Sequence, residues 1–485
     1  MKRTGTWIGL VVISAALFTA CQEQKAPEPS KQQAQDSTSQ PQQNDKSFAI
    51  RGVIEGFYGT PWTQKQRMDM FDFMGKHHFN TYVYAPKDDP YQRLRWMELY
   101  PATQGEQMKE LITGAKQDGI RFIYSISPGL PEPLPGETIT PPVEKAAITY
   151  SSPEQRKQLL EKIDQMMRLG AEGIMLSFDD IQQKLNQADQ QVYGGDYAHA
   201  QMELANYVLE TEREKNPNFQ LWFAPTTYYG VKDNAYWQTL RSQLDASVQV
   251  IWTGSWILAP SITSEQADNV AKLLGRKPLI WDNYPVNDYT YSVKKRPQLF
   301  MGPLEFRAPD LYAHSTGLLA NPMIQPEASK IALATVGDYL DHPETYDPAN
   351  AWQESLQAIG GEGLRKFSEY AMESSLHKEN NASFAKLVAG NDKEKLRQEL
   401  ELLRDLPKQV AAELAGKPLL QELEPWLSKL GKEGEAGVLA LQVLSDPKRA
   451  DLKKQLTAKI QELQKDNLKI GEDVFEFANH ALQSK

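Results

Sequence analysis

Gly173-Ile174-Met175-Leu176-Ser177-Phe178-Asp179-Asp180 runs without a charge and then closes on two adjacent carboxylates. The absence of polar alternation marks a strand covered on both faces, as the strands of parallel sheets are. Seven more runs rich in β-branched and aromatic residues share the design, at residues 49–57, 80–86, 120–128, 220–228, 248–254, 278–285 and 317–322. Between them, segments such as 63–78, 153–169 and 264–274 have the length and spacing of amphipathic helices. Eight strand-helix repeats predict an α/β fold, a closed (β/α)8 TIM barrel over residues 48–350. An open doubly wound sheet would want a glycine-rich nucleotide fingerprint after its first strand, and Glu55-Gly-Phe-Tyr-Gly59 does not supply one.

The flanks of this region differ from it. Lys2 and Arg3 precede a nearly apolar run, residues 7–20, that is too short to span a bilayer and reads as the core of a signal peptide over residues 1–20. Cys21, the only cysteine, excludes an intrachain disulfide and a thiolate metal site. It follows Leu17-Phe-Thr-Ala20 in a pattern resembling a bacterial lipobox, so Cys21 is the expected lipidation site. Residues 21–47 are Gln-, Ser-, Pro- and Lys-rich and read as a disordered tether with a reach of roughly 25–30 Å. The expected location is therefore outside the cytoplasmic membrane, with the lipid as the sole membrane contact. Residues 351–485 turn to Leu, Lys, Glu and Gln and predict a helical bundle, with Leu396, Leu400 and Leu403 on one face and Leu452, Leu456, Ile460 and Leu463 on another. Pro407, Pro418, Pro425 and Pro447 are expected to divide it into helices.

Composition narrows the chemistry. The formal net charge is −10, and loss of Lys2 and Arg3 with the leader makes it more negative by two, which argues against nucleic acid as a partner. Neither G-x-S-x-G nor a P-loop occurs, and no His/Cys spacing calls for a metal or other cofactor. Barrel enzymes work at the C-terminal ends of their strands. Those ends carry Gly56-Phe-Tyr58, Lys87-Asp-Asp89, Asp179-Asp180, Thr226-Thr-Tyr228, Trp252-Thr-Gly254, Trp281-Asp-Asn283 and Asn321. Such a polar and aromatic ring suits a sugar, whose hydroxyls take hydrogen bonds while its apolar face stacks on rings. Adjacent like charges resist joint ionisation, so one carboxyl of Asp179-Asp180 is expected to rise toward the range of a general acid. Asp89 and Asp282 are read as structural hydrogen-bonding groups and Trp62 as core.

Four stretches carry a family resemblance: Arg51-Gly-Val-Ile-Glu-Gly-Phe-Tyr-Gly-Thr-Pro-Trp62, Tyr84-Ala-Pro-Lys-Asp-Asp-Pro90, Ser177-Phe-Asp-Asp180 and Trp281-Asp-Asn-Tyr-Pro-Val-Asn-Asp288. Together they resemble glycoside hydrolase family 84, the β-N-acetylglucosaminidases that include the O-GlcNAcases. The resemblance implies a retaining exo-hydrolase of terminal β-linked GlcNAc, acting on a glycan or glycoconjugate. The sugar's own 2-acetamido oxygen would attack the anomeric carbon and form an oxazoline. It further implies that Asp179 orients the acetamido group and that Asp180 is the acid and then the base. Gly56, Lys87, Asp288 and Asn321 would hold hydroxyls, Asn283 and Tyr228 would act near the acetamido group and the reacting centre, and Thr253 and Trp281 would shape the pocket. The alternatives are an endo-acting, hyaluronidase-like glycosidase and a lipoprotein that binds glycans without cleaving them.

Overall fold

A computed structural model describes residues 46–134, 136–378, 382–390 and 392–483. The expected signal peptide, Cys21 and nearly all of the tether lie outside the described residues. Eight parallel strands close into a barrel in sequence order: β1 (Ile50–Glu55), β2 (Thr81–Tyr84), β3 (Arg121–Ile126), β4 (Gly173–Ser177), β5 (Leu221–Ala224), β6 (Gln249–Trp252), β7 (Leu279–Asp282) and β8 (Gly317–Ala320). Each lies within one of the predicted runs. The largely apolar, non-alternating runs follow from two separate cores. Ile54, Val83, Ile123, Met175, Trp222, Ile251 and Leu319 fill the barrel interior, while a larger cluster lies between the strands and the surrounding helices.

Local signals start and stop those helices where the sequence reading placed them. Thr63 caps the helix Gln64–Lys76 through a reciprocal box with Gln66, and Thr263 with Gln266 does the same for Ser264–Leu274. Ser152 and Pro153 open Pro153–Leu169, and Gly170, at φ +108°, ends it in the left-handed conformation that favours glycine.

The end of β1 is locked from inside. Glu55 is fully buried and accepts from Arg67 Nε (2.7 Å) and Nη2 (2.8 Å), from Trp62 N (3.1 Å) and from the Tyr82 hydroxyl. Removing one partner of such a buried pair typically costs about 3–5 kcal/mol. The lock holds the segment 56–62, which carries Gly56 and Tyr58 to the barrel mouth. Asp89 and Asp282 have comparable structural roles. Asp89 accepts from the hydroxyls of Tyr84 (2.7 Å) and Tyr100 (2.6 Å), and Asp282 holds Arg307 in a two-pronged ion pair (both 2.7 Å). Trp62 is buried, its Nε1 donating to Ile324 O (3.0 Å).

The C-terminal region is helical as expected and clusters with the barrel in one compact unit. Leu396, Leu400 and Leu403 are buried together on Lys393–Glu413; on Ala450–Leu463, Leu456, Ile460 and Leu463 are buried and Leu452 is partly exposed. Two of the four prolines do not act as breaks. Pro418 opens a helix and Pro447 falls between two, but Pro407 lies inside Lys393–Glu413 and Pro425 inside Pro418–Ser445. Tertiary packing outweighs the roughly 3 kcal/mol cost of an interior proline. Gly431, Gly434 and Gly437 form a stripe with no side chains against Pro407, the Arg404 backbone and Leu400, so the two helices approach closely only in this form.

Candidate active site

A cavity of about 430 Å³ opens at the C-terminal ends of the strands. All ten cavity residues expected from the sequence line it: Gly56, Lys87, Asp179, Asp180, Tyr228, Thr253, Trp281, Asn283, Asp288 and Asn321. Asp179 and Lys87, from the ends of β4 and β2, are buried and form an ion pair through Asp179 Oδ2. The other oxygen, Asp179 Oδ1, is buried with no hydrogen-bond partner among the described residues. A buried carboxylate oxygen left without a donor is costly, and it marks a place where a ligand N–H or O–H would be favoured.

Asp180 is held differently. Its Oδ1 accepts from the Tyr228 hydroxyl (2.7 Å) and its Oδ2 from the Tyr58 hydroxyl (3.0 Å). Burial pushes its pKa up, but the Lys87 ammonium, the Tyr228 hydroxyl, the Arg93 guanidinium and the Tyr58 hydroxyl outweigh that effect and hold Asp180 below the ordinary aspartate range. The expectation of a raised carboxyl therefore does not hold for Asp180. The Lys87 ammonium, the Arg93 guanidinium and the two phenols all stabilise its charged form.

The remaining walls are fixed by a chain of amides. Gly56 N donates to Asn321 Oδ1 (3.2 Å), Asn321 Nδ2 to Asn283 Oδ1 (3.0 Å), and Asn283 Nδ2 to Ile257 O (2.8 Å). Each side-chain amide retains a donor hydrogen and an acceptor lone pair for a ligand. Asp288 Oδ2 accepts from Tyr58 N (2.8 Å); burial raises the Asp288 pKa, partly offset by the backbone N–H groups of Tyr58 and Tyr289. Trp281 packs on Gly56 so closely that any β-carbon there would collide with the indole. The Lys87 ammonium lies 5.4 Å from the Trp281 ring centre. Thr253 is buried, its hydroxyl donating to Trp256 O (3.2 Å).

Sequence reasoning passed over Tyr58 and Arg93. Tyr58 stands inside a quoted motif at the end of β1, where its phenol was a readable signal. Arg93 lies on the turn after β2 with nothing local to mark it. Loop residues Pro133, Leu134 and Val293 also enter the wall. Among the described residues no group of three His, Cys, Asp or Glu side chains could hold a metal ion.

A (β/α)8 barrel with paired carboxylates, amides and an indole around one hollow defines a carbohydrate-processing class of site. The chain belongs to the beta-N-acetylglucosaminidase family, glycoside hydrolase family 84: the family profile matches residues 51–374, and that of a hyaluronidase post-catalytic domain-like family matches residues 376–477. It is 35% identical over 294 residues to the Protein O-GlcNAcase of Rattus norvegicus and equally to that of Mus musculus, covering 59% of this chain and 29% of each relative. This chain thus spans less than a third of their length. Among solved structures, a mutant of the Thermobaculum terrenum O-GlcNAc hydrolase aligns at 30% identity with a TM-score of 0.78, covering 90% of this chain and 95% of that one. The CpGH84B structure aligns at 27% identity and a TM-score of 0.74, covering 90% and 77%.

The hydrogen bonds to Asp180 set a pH dependence. Asp180 faces Lys87 and Arg93 as cations and Tyr58, Tyr228, Asp179 and Asp288 as acids. Tyr228→Phe deletes a donor that favours the carboxylate, so the Asp180 pKa rises. If Asp180 must carry a proton in the free enzyme, the alkaline limb of kcat/KM on an aryl β-GlcNAc substrate moves to higher pH than in the wild type. A limb that stays in place or moves down would contradict this placement of the proton.

Proposed function

We propose that the protein is a retaining exo-β-N-acetylglucosaminidase that cleaves terminal β-linked GlcNAc by substrate-assisted catalysis. The observation that carries this reading is the asymmetry of the adjacent acids: Asp179 keeps a buried unpartnered oxygen, while Asp180 sits partly exposed between two phenols. An acetamido N–H is a donor suited to Asp179 Oδ1. Accepting it polarises the amide and makes the acetamido oxygen a stronger nucleophile toward the anomeric carbon. Holding that oxygen in line supplies part of the barrier lowering as positioning. The negative charge of Asp179, fixed by Lys87, would also stabilise the positive oxazolinium.

Asp180 delivers its proton to the leaving oxygen as the bond to the anomeric carbon breaks. It then takes a proton from the water that opens the oxazoline, which returns the starting configuration. A group that switches between acid and base must be stable in both forms. The two phenols support the anion, and each carboxylate oxygen retains a second lone pair for the transferred proton. Two-carboxylate glycosidases use one acid as the nucleophile; here the substrate would take that part, as in the substrate-assisted exceptions to that scheme.

Exo action is supported by the cavity walls. Loops following all eight strands contribute to them, from Gly56 and Tyr58 after β1 to Asn321 after β8. An encircled hollow admits a chain end more readily than a chain interior. With an aryl β-GlcNAc substrate, Asp180→Asn should lower kcat/KM by about 10²–10⁴-fold, and Asp179→Asn should weaken turnover, with a thermal melt separating that loss from the destabilisation caused by the unpaired Lys87. Product sizing on GlcNAc-terminated oligosaccharides should give the monosaccharide alone. Binding without turnover by the wild type would favour a glycan-capturing lipoprotein, and internal fragments from a polymer would favour an endo-acting enzyme.

The proposed location is the outer side of the cytoplasmic membrane, anchored by a lipid on Cys21. Its support is the charged, apolar and cysteine-bearing order of residues 1–21 and the polar tether behind it. In a bacterial host, Cys21→Ser should move the protein from the membrane fraction to the soluble fraction. Equal membrane retention of the two forms would exclude lipid anchoring through this residue.

A further inference from the structure

Arg93 stands outside the cavity wall yet reaches both ends of the Asp180 machinery. Its Nη1 donates to the Tyr58 hydroxyl oxygen (3.1 Å), and that hydroxyl donates in turn to Asp180 Oδ2 (3.0 Å). Its Nη2 donates to the Asp180 carbonyl (3.1 Å), which also accepts from Glu132 N (2.9 Å). Asp180 needs such support, because its φ of +50° lies in the left-handed region that a residue with a side chain seldom adopts.

Arg93 is also an unusual residue to find so deeply buried. It is 6% exposed, its Nε has no hydrogen-bond partner among the described residues, and its hydrogen bonds go to a phenol and a carbonyl rather than a carboxylate. A buried cation with no directly paired anion depends on the acids it faces, here Tyr58, Asp179 and Asp180, for its compensation. The turn carrying it is nevertheless built with care: Asp89 ties it to Tyr84, Tyr100 and Tyr91 N, and Gln92 binds Ser125 Oγ (3.1 Å) and Ser127 N (2.9 Å). That investment points to a role in the site rather than in the core.

We propose that Arg93 is a positioning residue for the acid and base steps, acting through Tyr58 and the Asp180 backbone without touching substrate. The inference rests on the functional reading above, with Asp180 as the proton carrier. By occupying a lone pair of the Tyr58 oxygen, Arg93 turns the phenol hydrogen toward Asp180 Oδ2. Because a guanidinium does not lose its proton in proteins, this orientation holds through both halves of the reaction. The grip on the Asp180 carbonyl keeps the carboxyl aimed at the leaving oxygen.

The test uses the full chain with a series of β-GlcNAc glycosides whose leaving groups range from alkyl alcohols to dinitrophenol. Turnover of the aryl members by the wild type checks the functional reading first and independently. Arg93→Met should then lose kcat/KM unevenly, by about 10–100-fold for alkyl leaving groups, which need protonation, and less than about threefold for dinitrophenol. Its alkaline limb should move to higher pH, and Arg93→Lys, which keeps the charge, should restore part of the wild-type limb. Combining Arg93→Met with Tyr58→Phe should cost clearly less than the product of the two single losses, because both break one path. An even loss across leaving groups, an unmoved limb or fully multiplicative losses would each overturn the proposal. If Arg93→Met fails to fold, Arg93→Gln, which keeps a planar donor, carries the same comparison.

Discussion

The ion pair between Lys87 and Asp179 is the constraint on which the site depends. Two neighbouring aspartates at the end of one strand, one buried and one partly exposed, would repel each other and favour uptake of a proton by one of them. A lysine brought from the end of β2, itself buried, removes that conflict. The outcome is a division of labour set by environment. Asp179 is committed on one oxygen and open on the other, and Asp180 is free to exchange a proton between the Tyr58 and Tyr228 hydroxyls. A proton can then enter or leave Asp180 between the two phenols while the Lys87–Asp179 pair stays in place.

The barrel makes this arrangement possible. Closure in sequence order brings the end of β1 beside that of β8, so Gly56 N can meet Asn321 and pass the connection on to Asn283. Buried charges below the rim, Glu55 with Arg67 and Asp282 with Arg307, pin the loop bases and take no part in the cavity wall. The polar atoms of the mouth are thereby held in register. Its outer wall is completed by loop residues such as Leu134 and Val293.

Much of this was legible in the sequence, for reasons that differ from part to part. The strands stood out because parallel strands are covered on both faces, which removes alternation, and the segments 63–78, 153–169 and 264–274 stood out by their helical length and spacing, with observed starts within a residue of those bounds. The candidate residues at the strand ends were legible because barrel geometry sends strand ends to one face. Contacts made at a distance were not legible. Pro407 was read as a break because nothing local reveals that Gly431, on the next helix, leaves room for its ring. The lowered Asp180 pKa was missed because Lys87 and Arg93 come from the far side of β3, and sequence adjacency displayed only the repulsion from Asp179. Arg93 itself is one arginine among many until the fold brings it against Tyr58.

Whether the substrate supplies the nucleophile is the central claim, and it can be measured at the acyl group. Replacing the acetamido methyl hydrogens of an aryl β-GlcNAc stepwise by fluorine drains electron density from the carbonyl oxygen with little change in shape. If Asp179 serves to sharpen that oxygen, kcat/KM should fall steeply with each fluorine. A flat response, with bond cleavage shown to be rate-limiting, would mean that the acetamido group takes no part and would contradict the account.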